Sequence, residues 1–199
     1  MTNLALFDFD GTLTSKDSFT PFLFYATPKK RLWLGRLLLA PVVAAYKLGI
    51  VPASVMRPFT AYFCFRGLHQ KQLDKLGERY AKQHIPNILR PKAMEQLRWH
   101  QSRGDHIVVI SASLDTYLRP WCRAMKVDLI CSTLARQGDY YTGKYQQGDC
   151  SHQQKSKRLR AAVNLKDYRD IYAYGDTPED KAMLDLATIP VYQWDFFPR

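Results

Sequence analysis

Residues 4–14, LALFDFDGTLT, constrain the fold more than any other stretch of the chain. Leu4-Ala5-Leu6-Phe7 is apolar at every position, so an extended segment here has to be covered on both faces, as in the middle of a parallel sheet. The run nevertheless ends in Asp8 and Asp10, followed by Gly11, Thr12 and Thr14. Positions i and i+2 of an extended segment face the same side. Two unpaired carboxylates placed so would force one to stay protonated, a penalty that a divalent cation removes. Gly11 lets the backbone approach a ligand closely, and the N–H groups around it and Thr12 can point at an anion. A bare Asp-x-Asp-Gly turn of calcium-loop composition is the alternative reading.

The rest of the chain is organised around that strand. From Ser18 to about Arg103 it reads as helices punctuated by Pro21, Pro28, Pro41, Pro52, Pro58, Pro86 and Pro91. DHIVVISAS (105–113) is a second strand, 114–126 a helix and VDLIC (127–131) a third strand. Residues 135–150, with glycines between aromatic residues, predict a hairpin excursion. A helix over 151–163, a strand at DIYAYGD (170–176), a helix over 178–187 and a strand at IPVYQW (189–194) complete the pattern. Strand and helix alternate after residue 105, which predicts an α/β core with a mainly parallel, Rossmann-like sheet. The helical stretch interrupts that alternation directly after the first strand. The expected division is a core of residues 1–14 and 92–199 and a helical cap of residues 15–91.

Charge follows the same division. The net charge is +11. Residues 14–92 hold fourteen Lys/Arg against Asp17, Asp74 and Glu78, so that segment carries the whole excess and the remainder is balanced. This predicts either an anionic partner or surface for the segment or a merely solvated basic face. Within it, LWLGRLLLAPVVAAYKLGIV (32–51) has bilayer-spanning length, but Arg36, Lys47 and the central Pro41 leave only a short clean run. A buried or interfacial helix is the expectation. Cys64, Cys122, Cys131 and Cys150 have neither metal-ligand nor disulfide-framework spacing, and the N-terminus lacks a signal-peptide pattern. A cytoplasmic protein is expected, peripheral at the inner face of the membrane if the basic cap touches anionic headgroups. His69, His84, His100, His106 and His152 show no ligand spacing, and the aromatic residues between Phe19 and Phe65 read as cap packing.

Ligands of an open parallel sheet bind beyond the carboxyl ends of its strands. Those ends carry Asp8-Phe9-Asp10-Gly11-Thr12, Ser111-Ala112-Ser113, the segment leading to Lys155, and Gly175-Asp176-Thr177-Pro178-Glu179-Asp180. Oxygen donors without His or Cys select a hard cation, and Mg²⁺ with phosphate oxygens in its shell is the usual partnership. In this order the four elements resemble the motifs of the haloacid dehalogenase superfamily. DFDGTLT matches the first, ISAS with Ser111 the second, Lys155 the third and YGDTPED the GDxxxD form of the fourth. DCSHQQKSKRL is similar to the cysteine-then-lysine stretch of the branch that includes phosphoserine phosphatases and bacterial phosphatidylglycerophosphate phosphatases. That similarity selects Lys155 over Lys157, although His152-Gln153-Gln154 departs from the branch's glycine-glutamate-glutamate approach.

The resemblance implies a two-step mechanism. Asp8 would attack phosphorus to give an aspartyl-phosphate. Asp10 would protonate the leaving oxygen and later deprotonate water. The Asp8 carboxylate, the Asp10 carbonyl, Asp176 and Asp180 would hold Mg²⁺. Ser111 and the backbone at Gly11, Thr12 and Ala112 would bind phosphate oxygens, and Lys155 would neutralise charge. Phosphotransferases and mutases share this intermediate. Specificity is expected in the cap. Asp17 stands where phosphoserine phosphatases place an acid for the substrate ammonium, or else caps the helix beginning near Ser18; Arg57 is the candidate carboxylate clamp. The basic, apolar cap instead suits a phospholipid headgroup phosphate such as phosphatidylglycerophosphate. The alternatives are a soluble phosphatase of small metabolites such as phosphoserine, and a basic nucleic-acid-binding module on a vestigial core. No recognition helix or RNA-binding motif supports the last, so no nucleic-acid partner is expected.

Overall fold

The computed structural model describes residues 2–196. Strand β1 (Leu4–Phe7) lies in the middle of the sheet, with β2 (His106–Leu114) parallel on one side and β6 (Ile171–Gly175) parallel on the other. Beyond β2 lies β3 (Asp128–Ser132); beyond β6 lie β7 (Ile189–Tyr192) and a short antiparallel β8 (Asp195–Phe196). The order β3-β2-β1-β6-β7-β8 thus contains five parallel strands, the Rossmann-like α/β core expected from the sequence. The apolar run of β1 is explained by its position. Leu4 and Leu6 enter one core with Val108, Ala173, Leu159 and Met183, whereas Ala5 and Phe7 enter the other with Val109, Leu97 and Trp121. The chain leaves β1 towards β2 and later returns on the opposite side as β6, so the topological switch lies at β1 and the crevice opens beyond its carboxyl end.

Five helices are inserted between β1 and the sheet-packing helix α6 (Pro91–Ser102): α1 (Phe19–Ala26), α2 (Lys29–Leu38), α3 (Ala40–Lys47), α4 (Ala53–Phe65) and α5 (Gln70–Gln83). The outgoing and returning chains pair where they meet. Ser15 N–H donates to Ile88 O at 2.7 Å, and Arg90 N–H donates to Leu13 O at 2.9 Å. The 32–51 stretch is two helices, because α2 ends at Leu38 and Pro41 occupies the first turn of α3. No helix among the described residues is long and apolar enough to cross a membrane. Phe19, Phe22 and Phe65 pack inside the insertion, but Phe24 and Phe59 face outward, against the expectation that all its aromatic residues are packing residues.

After β2 come α7 (Asp115–Met125) and the expected hairpin, β4 (Leu134–Gln137) with β5 (Tyr140–Tyr145). This hairpin reaches back to the insertion: Gly67 N–H donates to Tyr141 O and Tyr141 N–H to Leu68 O. Helix α8 (Gln153–Ala162) then leads to β6. The helix expected over 178–187 is shorter: one tight turn at Pro178–Asp180 precedes α9 (Lys181–Leu184). A capping box between Thr177 and Asp180 closes that turn and spends one carboxylate oxygen, Oδ2, on local N–H groups.

Candidate active site

The floor of the crevice is built from three strand ends and one helix. Asp8 leaves β1, and its N–H donates to Tyr174 O of β6, which fixes the carboxylate at the switch point. The chain then makes a single tight turn over Phe9–Leu13, closed by Thr14 N–H donating to Phe9 O at 2.9 Å. Gly11 takes φ +86°, and a Cβ there would stand 2.0 Å from Asp176 Oδ2. Only glycine meets both demands. Gly175, at the end of β6, is similarly tight: a Cβ would lie 2.6 Å from the Asp180 Cβ.

Lys155 projects from α8 into this floor and is among the most buried side chains of the protein. Its ammonium donates to Asp8 Oδ1, and to Asp180 Oδ1 at 2.5 Å. The other Asp180 oxygen accepts from the N–H groups of Asp176 and Thr177, each at 3.1 Å. Thr12 Oγ1 donates to Asp176 Oδ1 at 3.1 Å. Asp8, Asp176 and Asp180 each offer an oxygen, and these oxygens lie within 4.8 Å of one another. Burial pushes the Asp8 carboxyl well above its usual range; Lys155 opposes that, while Asp180 and Asp10 add to it. Burial works against the charge on Lys155, but the two carboxylates outweigh it and hold the ammonium protonated beyond the ordinary lysine range. Burial also raises Asp176.

The Asp10 carboxylate turns away from this cluster. Oδ1 accepts from Ser18 N–H at 2.6 Å and Oδ2 accepts from the Ser113 hydroxyl. Burial, with the Asp17 charge, lifts Asp10 to about 6 despite those bonds. Ser18 is itself fixed: its hydroxyl bonds the Tyr117 hydroxyl at 2.9 Å, and its carbonyl accepts from Tyr80 OH at 3.0 Å. Ser111 is buried, and its hydroxyl oxygen accepts from Ser113 N–H at 3.0 Å; Ala112 lies buried between them. Arg90 donates to Gly11 O and Thr14 O at 3.0 and 3.1 Å, bracing the turn from outside.

The crevice thus gathers Asp8, Asp10, Gly11, Thr12, Ser111, Ala112, Lys155, Asp176 and Asp180. Two residues singled out for substrate recognition are engaged elsewhere. Asp17 caps α1, accepting from Phe19 N–H and Thr20 N–H at 3.0 Å each. Arg57 on α4 makes a bidentate pair with Asp149 at 2.8 and 3.0 Å and reaches Glu179 at 2.8 Å. Sequence reasoning placed Ser113 at a ligand-binding strand end but gave it no role, although strand parity sets it on the same face as Ser111. It passed over Ser18, Tyr80, Tyr117 and Arg90, whose spacing in sequence carries no signal.

A buried lysine–aspartate pair, with further carboxylates at the switch point of a parallel sheet, defines a site for handling phosphoryl groups. The chain belongs to the haloacid dehalogenase-like hydrolases, whose family model matches residues 5–185, and it is a phosphomonoester hydrolase of that family. It is 34% identical to Protein CicA of Caulobacter vibrioides, over 92% of this chain and 82% of that one. It is 27% identical to a histidinol-phosphatase of Neisseria meningitidis serogroup C, over 96% and 90% of the two chains. The fold is also that of a substrate-bound phosphoserine phosphatase, with TM-score 0.66 and 17% identity over 96% of this chain and 86% of that one.

Proposed function

We propose that the protein hydrolyses phosphomonoesters through a covalent intermediate on Asp8, and that its substrate is the headgroup phosphate of an anionic lipid such as phosphatidylglycerophosphate. The observation that carries the chemistry is the Asp8 carboxylate held against Lys155 with Asp176 and Asp180 within reach of one cation. Three carboxylates without nitrogen or sulfur donors suit a hard ion, so Asp8, Asp176 and Asp180, with the main-chain carbonyl of Asp10, would hold Mg²⁺. When bound, that ion supplies positive charge to the phosphoryl oxygens.

In the first step an Asp8 oxygen bonds to phosphorus and the ester P–O bond breaks. The leaving oxygen takes a proton from Asp10, which two hydrogen bonds orient. In the second step water attacks phosphorus, gives a proton to Asp10 and releases phosphate and the free Asp8 carboxylate. Lys155 neutralises Asp8 throughout. Ser111 accepts from Ser113 N–H, which leaves its own O–H to donate to a phosphate oxygen. Positioning and charge stabilisation are what phosphoryl transfer chiefly requires.

Residues 15–91 act as the cap in this reading. Trp33, Leu37, Leu38, Leu48 and Ile50 are between 64% and 75% exposed. They lie beside Lys29, Lys30, Arg36 and Lys47, a combination suited to an anionic membrane surface. The histidinol-phosphatase relative favours a second reading, a small soluble phosphomonoester as substrate. A phosphate-release assay separates the two: vesicles containing phosphatidylglycerophosphate against soluble histidinol phosphate and phosphoserine, with and without detergent. Turnover of the vesicle substrate, loss of p-nitrophenyl phosphate hydrolysis in Asp8→Asn and its loss with EDTA are the expected results. Turnover of the soluble esters alone, with no flotation on anionic vesicles, would refute the lipid reading.

A further inference from the structure

The insertion forms an open cavity of about 750 Å³ between α1, α2, α3 and α4. Its walls are mostly apolar, with Leu23, Leu32, Leu39, Val43, Met56 and Phe63 among them. That volume falls in the range of sites that bury a small organic ligand. Asp17, Thr20 and Arg57 belong to its lining, and two of them, Arg57 and Asp17, act on the neighbourhood of the catalytic crevice. Arg57 pairs with Glu179, next to Asp180, and the Asp17 charge is felt by Asp10. Arg36 and Lys47, cations of α2 and α3, also line it. The cavity therefore comes nearest the phosphate site at the end lined by Asp17 and Arg57, and it also carries the cations Arg36 and Lys47.

We propose that this cavity receives a single alkyl chain of the substrate while its phosphate lies at Asp8. The claim rests on the phosphomonoester reading above and specifies what the rest of the ester must be. Three observations select an apolar chain over a small polar group. The lining offers hydrocarbon along most of its length. The Arg57 guanidinium, which would otherwise bind a substrate carboxylate, is spent on Asp149 and Glu179. Asp17, which would bind a substrate ammonium, already accepts two helix N–H groups. The flanking Arg36 and Lys47 match an amphiphile drawn from an anionic surface, with its charged end passing inward.

A homologous series of n-alkyl phosphates, ethyl to dodecyl, tests this with no bilayer present and below micelle formation, so that adsorption to a surface plays no part. With Mg²⁺ and wild-type protein, kcat/KM should rise by about fourfold for each methylene buried until the cavity is full, then level off. Val43→Trp on α3, and Ala53→Phe at the start of α4, should each flatten that rise by filling the lumen. The ratio of long- to short-chain kcat/KM is internal to each preparation, so partial unfolding of a variant does not imitate the effect. Equal kcat/KM along the series in wild type would overturn the chain site while leaving the phosphatase reading standing. So would an undiminished rise in both variants, which would place the chain elsewhere. No release from any ester, p-nitrophenyl phosphate included, would overturn the phosphatase reading and this inference with it.

Discussion

Gly77 offers the sharpest test of how the helical insertion reaches the chemistry. It lies on α5 against the first turn of α7, and a Cβ built on it would stand 2.1 Å from the carbonyl oxygen of Thr116. That neighbour is backbone and cannot rotate away, so an alanine there forces α5 off α7 by about 1 Å to restore van der Waals contact. Two effects oppose each other in Gly77→Ala. Alanine stabilises a helix interior by about 1 kcal/mol relative to glycine. Overpacking against a fixed partner costs about 1–3 kcal/mol, and with a main-chain oxygen the upper half of that range applies. The net expectation is a loss of about 1–2 kcal/mol.

The displacement should be felt further away. Tyr80, one turn along α5 from Gly77, donates to Ser18 O at 3.0 Å, and Tyr117, next to Thr116, bonds the Ser18 hydroxyl at 2.9 Å. Ser18 N–H holds Asp10 Oδ1 at 2.6 Å. Separating α5 from α7 pulls the two tyrosines apart, and Ser18 cannot follow both. A shift of about 1 Å in a catalytic group costs on the order of 100-fold in rate. Urea unfolding should therefore show a lower midpoint at unchanged m-value, and kcat on p-nitrophenyl phosphate should fall by roughly 10- to 100-fold in the protein that remains folded. A variant as stable as wild type, or more so, with kcat unchanged, would show that the α5–α7 contact is compliant and that Asp10 is positioned without it.

Three further outcomes follow from named contacts. Lys155→Met leaves the Asp8 and Asp180 carboxylates buried without their cation, at a cost of about 3–5 kcal/mol in metal-free buffer; urea midpoints with and without Mg²⁺ should show that loss and its partial recovery. His100 is buried in a chain in which Gln96 donates to Tyr174 OH, Tyr174 OH meets His100 Nε2, and Nδ1 meets Asp105. Burial lowers its pKa, with Asp105 opposing. The unfolded chain therefore binds the proton first as pH falls, and stability present above about 6.5 declines below it by up to about 1.4 kcal/mol per pH unit; a wild-type profile no steeper than that of His100→Gln between pH 7 and 5 would contradict this. Arg57→Lys keeps the charge but cannot reproduce the two-pronged bond to Asp149, so it should lower the urea midpoint nearly as far as Arg57→Ala.

How much of this was readable in the sequence depends on whether a feature is local. β1 and β6 are legible because central strands of a parallel sheet are covered on both faces, so Leu4–Phe7 and Ile171–Gly175 are apolar runs with their polar groups confined to the carboxyl ends. The interruption of 32–51 is legible for a similar reason, since Pro41 cannot sit inside a continuous helix. The choice between Lys155 and Lys157 rested on a resemblance in sequence. In the structure the rotation of α8 buries Lys155 and exposes Lys157. Partners far apart in the chain leave no local trace. Arg57 lies 92 residues from Asp149 and 122 from Glu179, and no periodicity connects them. The orientation of Asp10 was hidden as well, because i and i+2 parity holds for an extended segment and the chain turns sharply immediately after Asp8.

The charge of the chain divides into two populations that act at different distances. The excess of +11 lies in residues 14–92, almost all of it on the insertion. The crevice floor sets four carboxylates against Lys155, while Arg90 spends its guanidinium on main-chain oxygens. Beyond a Debye length of about 8–10 Å an approaching anion is largely screened from both. A phosphate dianion at Asp8 would be repelled by that floor unless a divalent cation offset the carboxylates, so under the proposed mechanism activity should be lost with EDTA and restored by Mg²⁺ but not by a monovalent cation. In the proposed lipid reading, selection falls to the helices of the insertion, which pair lysine and arginine with exposed leucine, isoleucine and tryptophan.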